Sequence, residues 1–170
     1  MPFVRISLRE GTSPDYRKVL ADGVHRALIE AIAIPPGDRF QVITQHPPGD
    51  LIYSPDYLGV PRSDRVVFVQ ITLSVGRKPQ QKRALFKRMS EILSESPGLR
   101  PEDLVVNLVE VSWENWSFGN GEAQYMDSQG VRAPFVRCPT KRRAPSLPFS
   151  AAAHGRVNSC AVPSADAPHG

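Results

Sequence analysis

A chain of 170 residues has room for one ordinary domain with or without a tail, and not for two of full size. Its net charge of +4 divides unevenly at residue 130: the first part holds 15 Lys+Arg against 16 Asp+Glu (15 − 16 = −1), the remainder 6 against 1 (6 − 1 = +5), so the body lacks the basic footprint of a nucleic-acid binder. No run approaches the ~18 apolar residues of a membrane span, no charged start leads into a short apolar signal core, and the two cysteines, Cys138 and Cys160, make neither a disulfide framework nor a zinc pattern, so the expectation is a cytoplasmic protein with no metal, cofactor, nucleic-acid or membrane partner.

The chain opens on period-2 alternation, Val4, Ile6 and Leu8 sharing one face, the signature of a strand covered on that side. Gly11-Thr12-Ser13-Pro14 follows, with a capping residue before a proline at the first helical position, where its missing N–H costs nothing. Leu20, Val24, Ala27, Leu28, Ala31 and Ile32 then keep helical spacing and predict one apolar stripe. The helix stops at Ile34-Pro35-Pro36-Gly37-Asp38, and an apolar run over 40–44 predicts a second strand.

The same order returns after the connection 47–65. Sliding the chain by 68 − 3 = 65 positions lays Phe3, Val4, Ile6 and Leu8 on Phe68, Val69, Ile71 and Leu73 without a gap. Gly11 then meets Gly76, Pro14 meets Pro79, Leu20 meets Leu85, Leu28 meets Leu93, Pro36 meets Pro101 and Asp38 meets Asp103. Turn punctuation and core positions agree together, so the body is two copies of one supersecondary unit. Each is β-α-β, over about 2–46 and 66–112, and a crossover helix of this length makes the two strands of a unit parallel.

The predicted fold is therefore α+β: tandem β-α-β units forming a four-stranded sheet with two helices on one face, within a domain over 1–130 that ends in an aromatic segment. The uncovered sheet face predicts burial against other subunits, a cyclic oligomer being the simplest arrangement. From 131 onward Pro, Ala, Ser and Arg recur with no hydrophobic period, predicting a disordered basic tail in which Lys141-Arg142-Arg143 is a solvated cluster.

Chemistry is most suggestive at the start. Removal of the initiator methionine before proline leaves Pro2 as a secondary amine at the head of a strand, able to act as acid, base or nucleophile near neutrality because an α-amino group has a pKa near ~7.7–8. Its counterpart in the second unit, Val67, is mid-chain, so one site per chain is expected. Asp38 and Asp103 each follow a proline by two residues at a helix-to-strand turn, and a turn role accounts for the pair as well as catalysis does. Arg77 lies between a strand end and a helix start, where an anion is favoured. Trp113, Trp116, Phe118 and Tyr125 are candidates for an apolar pocket wall, with packing an equal reading for Trp113. His25 falls beside the first helical stripe and reads as helix packing, and His46 has no role that its chemistry assigns.

A two-unit chain beginning Met-Pro, with Gly37-Asp38-Arg39-Phe40-Gln41, Thr44-Gln45-His46, Arg77 after the third strand and Trp116-Ser117-Phe118-Gly119 near the end of the body, resembles the malonate semialdehyde decarboxylase group of the tautomerase superfamily over about 2–126. The resemblance implies a homotrimer with Pro2 as the catalytic amine, Asp38 setting its protonation state and activating water, and Arg77 holding the carboxylate of a small oxo acid. Trp116, Phe118 and Tyr125 would bound the substrate. Decarboxylation to acetaldehyde, with hydration as a side activity, is the leading expectation. Keto–enol tautomerisation of a 2-oxo acid such as phenylpyruvate and a non-catalytic trimeric binding protein are the alternatives. The group has a second arginine two residues before Arg77, and this chain has Val75 there.

Overall fold

The computed structural model describes residues 1–127; the tail expected from 131 onward lies outside the described residues. Its elements are β1 (Pro2–Arg9), α1 (Pro14–Ile32), β2 (Phe40–His46), β3 (Val67–Ser74), α2 (Pro79–Glu95), β4 (Leu104–Val111) and a short α3 (Gln124–Asp127). One four-stranded sheet has the order β2-β1-β3-β4. Both within-unit pairs are parallel and share one register: Phe3 lies beside Phe40, and Val67 beside Leu104. The units meet antiparallel through β1 and β3, with Arg5 opposite Gln70, the residue that the repeat maps onto it. A pseudo-twofold axis therefore passes between those two strands.

Alternation decides which face is dry. Val4, Ile6 and Leu8 of β1 and Val67, Val69, Ile71 and Leu73 of β3 are buried under the helices, together with Leu20, Val24, Ala27, Leu28 and Ile32 of α1 and Leu85, Met89, Ile92 and Leu93 of α2. The two predicted stripes are thus the core, Ala31 packing at its margin. Full burial of each large aliphatic side chain contributes about 1.5–3 kcal/mol. The helices approach closely at Gly23, where a Cβ would stand 2.7 Å from Leu93 Cδ2 and 3.2 Å from Ile92 Cγ2.

The turns behave as the repeat requires. Gly11 and Gly76 both adopt left-handed φ values, 93° and 119°, which a side chain at either place would oppose. Ser13 caps α1 by accepting the Tyr16 N–H at 3.1 Å, and Pro14 begins the helix. At α2 Lys78 offers no such oxygen; the Gln81 side chain accepts the Lys78 N–H instead, at 2.9 Å.

The opposite sheet face carries no helix. Phe40, Val42 and Val109 are exposed on it among Arg5, Gln70 and Asn107. Among the described residues, no helix is long and apolar enough to cross a membrane.

Candidate active site

Because β1 and β2 start where β3 and β4 end, one end of the sheet gathers Pro2, Asp38 and Arg77. Pro2 pairs with Leu73, one residue before Ser74, the last residue of β3. In the chain as described Met1 is present, so the Pro2 nitrogen is an amide and the Met1 ammonium stands in for the terminal amine one residue further out. That ammonium lies 3.7 Å from Asp38 Oδ2, with both side chains largely buried, 9% and 17% exposed. Burial drives the amine's pKa below its ordinary value; Asp38 pulls it back up and Arg77 pushes it down further. Carboxylate and guanidinium therefore both act on the chain's amino terminus.

Asp38 sits in the α1–β2 turn, where its N–H donates to the Pro35 carbonyl at 2.9 Å. Arg77 is half-buried and held by its own turn, Nη1 donating to the Ser74 carbonyl at 2.7 Å. The Arg77 N–H acts on Glu110, whose carboxylate Lys82 Nζ also grips at 2.6 Å; these contacts keep Glu110 below the usual carboxylate range, Lys82 contributing most.

The aromatic segment leaves β4 and crosses this end of the sheet to reach β2. Trp113 packs edge-on to Tyr125, Tyr125 edge-on to Phe118, Phe118 stacks on Trp116 with centroids 5.6 Å apart, and Phe118 reaches Phe40 of β2 at 6.2 Å. Gln124 fixes the turn beneath them, accepting the Phe118 N–H at 2.9 Å and donating to the Gly119 carbonyl at 2.8 Å. Burial raises the Tyr125 phenol above its usual pKa, with Asp38 adding to the rise and Arg77 opposing it, so Tyr125 stays a neutral donor within the field of both. Trp116 Nε1 and Ser74 Oγ are buried with no hydrogen-bond partner among the described residues. Among the described residues no group of three or more His, Cys, Asp and Glu could hold a metal ion.

All six residues singled out by sequence, Pro2, Asp38, Arg77, Trp116, Phe118 and Tyr125, thus fall at one end of the sheet. Trp113 joins the ring cluster. Gln124, Ser74 and Glu110 were not anticipated, since an amide that staples a turn and a carbonyl that holds a guanidinium leave no pattern in a single sequence. His46 closes β2 with Nε2 buried and unpaired among the described residues, and nothing connects it to this site.

The sequence matches two family models, each described as "Tautomerase enzyme", over residues 38–119 and 2–61. It is 39% identical over 127 residues to the probable tautomerase YusQ of Bacillus subtilis (strain 168), covering 75% of this chain and 100% of that protein. The chain belongs to the tautomerase family. This tautomerase is also 34% identical over 126 residues to the probable tautomerase YrdN of the same organism, covering 74% of this chain and 97% of the relative. Among solved structures, it superposes on malonate semialdehyde decarboxylase with a TM-score of 0.71 at 33% identity, covering 76% of this chain and 99% of that one. The FG41 malonate semialdehyde decarboxylase inhibited by 3-bromopropiolate gives 0.71 at 36% identity, over 78% and 99%. A fused 4-OT described as a symmetric trimer shares the fold at 19% identity and a TM-score of 0.61, covering 73% of this chain and 98% of that one. The tautomerase enzyme fold and the decarboxylase-like group expected from the sequence are both found.

Proposed function

We propose that this tautomerase moves a proton on a small 2-oxo acid, with the neutral amine of Pro2, freed by removal of Met1, as the base. Arg77 holds the substrate carboxylate, a geometry that a planar guanidinium serves with two parallel hydrogen bonds. Trp116, Phe118 and Tyr125 wall the organic part, and Trp116 Nε1–H, which has no partner among the described residues, is a donor for a substrate oxygen. Pro2 takes the proton from the enol hydroxyl and returns it to the adjacent carbon, so the amine ends as it began.

The observation that carries this reading is the environment of the terminal amine, borne by Met1 in this structure: burial, the largest influence, acts with Arg77 to lower its pKa against the opposing pull of Asp38, which favours the unprotonated form that a base requires. Val75 acts in the same sense, placing an apolar side chain where the decarboxylase group carries a second cation.

Decarboxylation of malonate semialdehyde is the second reading, supported by the likeness at 33% and 36% identity to structures of that decarboxylase. In it the neutral amine adds to the aldehyde and expels water to form an iminium, loss of CO2 leaves an enamine, and protonation and hydrolysis release acetaldehyde. We also propose a homotrimer assembled through the uncovered sheet face, supported by the exposed Phe40, Val42 and Val109.

The deciding experiment presents phenylpyruvate enol, malonate semialdehyde and an acetylenic 2-oxo acid to wild type, Pro2→Ala and Arg77→Ala. Ketonisation of the enol on a rate profile that ascends with pH, lost in both variants, is the expected result. Turnover of malonate semialdehyde alone, lost in both variants, replaces the first reading with the second. Retention of Met1 in the native protein leaves only a non-catalytic binding protein.

A further inference from the structure

His25 takes no part in the chemistry proposed above, yet it is a histidine buried to 8% exposure on the dry face of α1. Its Nε2 lies 2.9 Å from the Pro36 carbonyl oxygen. A carbonyl only accepts, so the ring is the Nε2–H tautomer and donates. Proline has no N–H and α1 has already ended, its N–H to carbonyl ladder closing at Ala33, whose N–H donates to Ile29 at 3.1 Å. The Pro36 carbonyl therefore finds its donor in a side chain, and that carbonyl is two residues from Asp38.

α1 grips the other flank of the same turn as well. Arg39 Nη2 pairs with Asp22 Oδ1 at 2.7 Å, and Gln41 Nε2 donates to the Ala21 carbonyl at 2.9 Å. Asp38 lies between these anchors: Asp22 and Ala21 hold the strand that follows it, and His25 holds the chain that precedes it. The Arg39 pair is substantially exposed and weakly restraining, whereas the His25 bond is part-buried with its ring donor withdrawn from water, and is costlier to leave unmade.

We infer that His25 is a positioning residue which, through the Pro36 carbonyl, sets the Asp38 carboxylate against the amino-terminal nitrogen and thereby the protonation of that nitrogen. The inference rests on the proposed role of the terminal amine, and its expected sign is fixed. Asp38 raises the amine's pKa, while Arg77, the other charged group acting on the amine, lowers it; Tyr125, which shares the field of both, stays neutral. Loosening Asp38 removes a raising influence, so the amine's pKa falls.

The second unit shows the alternative construction. The corresponding turn places Asp103 N–H on the Arg100 carbonyl at 3.0 Å, matching Asp38 and Pro35, but its carboxylate is locked by the Ser63 N–H and hydroxyl at 2.6 and 2.7 Å. Asp103 is held by its own bonds. Among the described residues the Asp38 carboxylate meets the terminal amine at 3.7 Å and no such clamp, so its placement depends on the turn that carries it.

The test is a 15N titration of the proline-labelled amino terminus in the full chain, which reads the amine without requiring turnover. Asp38→Asn supplies the reference shift to lower pKa. His25→Asn, polar but too short to reach the Pro36 carbonyl, is expected to give more than half of that shift; His25→Gln, which can reach it with an N–H, is expected to stay near wild type. The His25→Asn/Asp38→Asn double variant is expected to add little to Asp38→Asn alone. A folded His25→Asn protein with an unshifted amine overturns the inference, as does an additive double variant. If His25→Asn does not fold, the ring tautomer in wild type decides, and a protonated Nδ1 with a bare Nε2 overturns it. Coupling without turnover of any oxo acid sinks the proposed function alone, and turnover without coupling sinks this inference alone.

Discussion

The two halves of the body share sequence pattern, strand register and turn geometry, and they part company at equivalent positions. In the second unit Asp103 is fully buried and bonded twice to Ser63, the residue that leads the chain into β3, so the carboxylate is consumed in closing the fold. In the first unit the equivalent Asp38 meets the chain's amine. Arg77 in the second half answers to Thr12 in the first, and Pro2 answers to Val67. At the end of the sheet opposite the candidate site, a cavity of about 360 Å³ is lined by Thr12, Tyr16, Asp64, Arg65 and Val67 among others, with Val67 in the place of Pro2 and Thr12 in the place of Arg77. A duplicated scaffold thus makes two similar ends, and a few side chains decide which of them carries the candidate site.

That contrast can be broken in several places. The largest effect is expected at Pro2: with Met1 removed, Pro2→Ala should lose roughly 10²–10⁴-fold in kcat/KM, the usual contribution of a positioned acid or base, with melting unchanged. Arg77→Ala should lose roughly 10²-fold, in line with the ~2–5 kcal/mol for truncating one partner of a buried, hydrogen-bonded charge pair, and Arg77→Lys should recover part of it. Steady-state kinetics on the best substrate of the panel checks both.

The aspartates should separate by observable. Asp103→Ala orphans the Ser63 N–H and is expected to destabilise the fold by about 3 kcal/mol in urea unfolding, without moving the pH profile of any enzyme that remains folded. Asp38→Asn should cost under about 1 kcal/mol and move the ascending limb of kcat/KM to lower pH. A base works above its own pKa and is lost as pH falls through it; without Asp38 that pKa is lower, so activity persists further into acid. An unmoved limb would place Asp38 with Asp103 as a turn residue. Smallest is Gly23→Ala, whose added carbon meets Leu93 at 2.7 Å and should cost about 1 kcal/mol with no kinetic signature.

Much of this was legible in the sequence because duplication made the signals redundant. The Gly-x-x-Pro turns, the helical stripes and the paired aspartates each occur twice, and the helix–sheet core is their direct consequence. Strand order was not legible, since β-α-β units can join along either edge and only the antiparallel pairing of β1 with β3 decides it. Pro2, Asp38 and Arg77 carried chemistry in their residue types. The contacts that hold them did not: His25 looked like packing because it lies beside an apolar stripe, and its bond to Pro36 appears only when α1 and the following turn fold together. Gln124 is likewise silent until the Phe118 turn closes on it. Asp38 and Asp103 were indistinguishable because the difference between them lies in what each one faces.

The central claim concerns one nitrogen, and the mass of the native protein tests it most directly. Intact mass with peptide mapping should show a chain shortened by its initiator methionine and beginning at Pro2. A chain that keeps Met1 has an amide at Pro2, unable to accept a proton or add to a carbonyl, and contradicts the account.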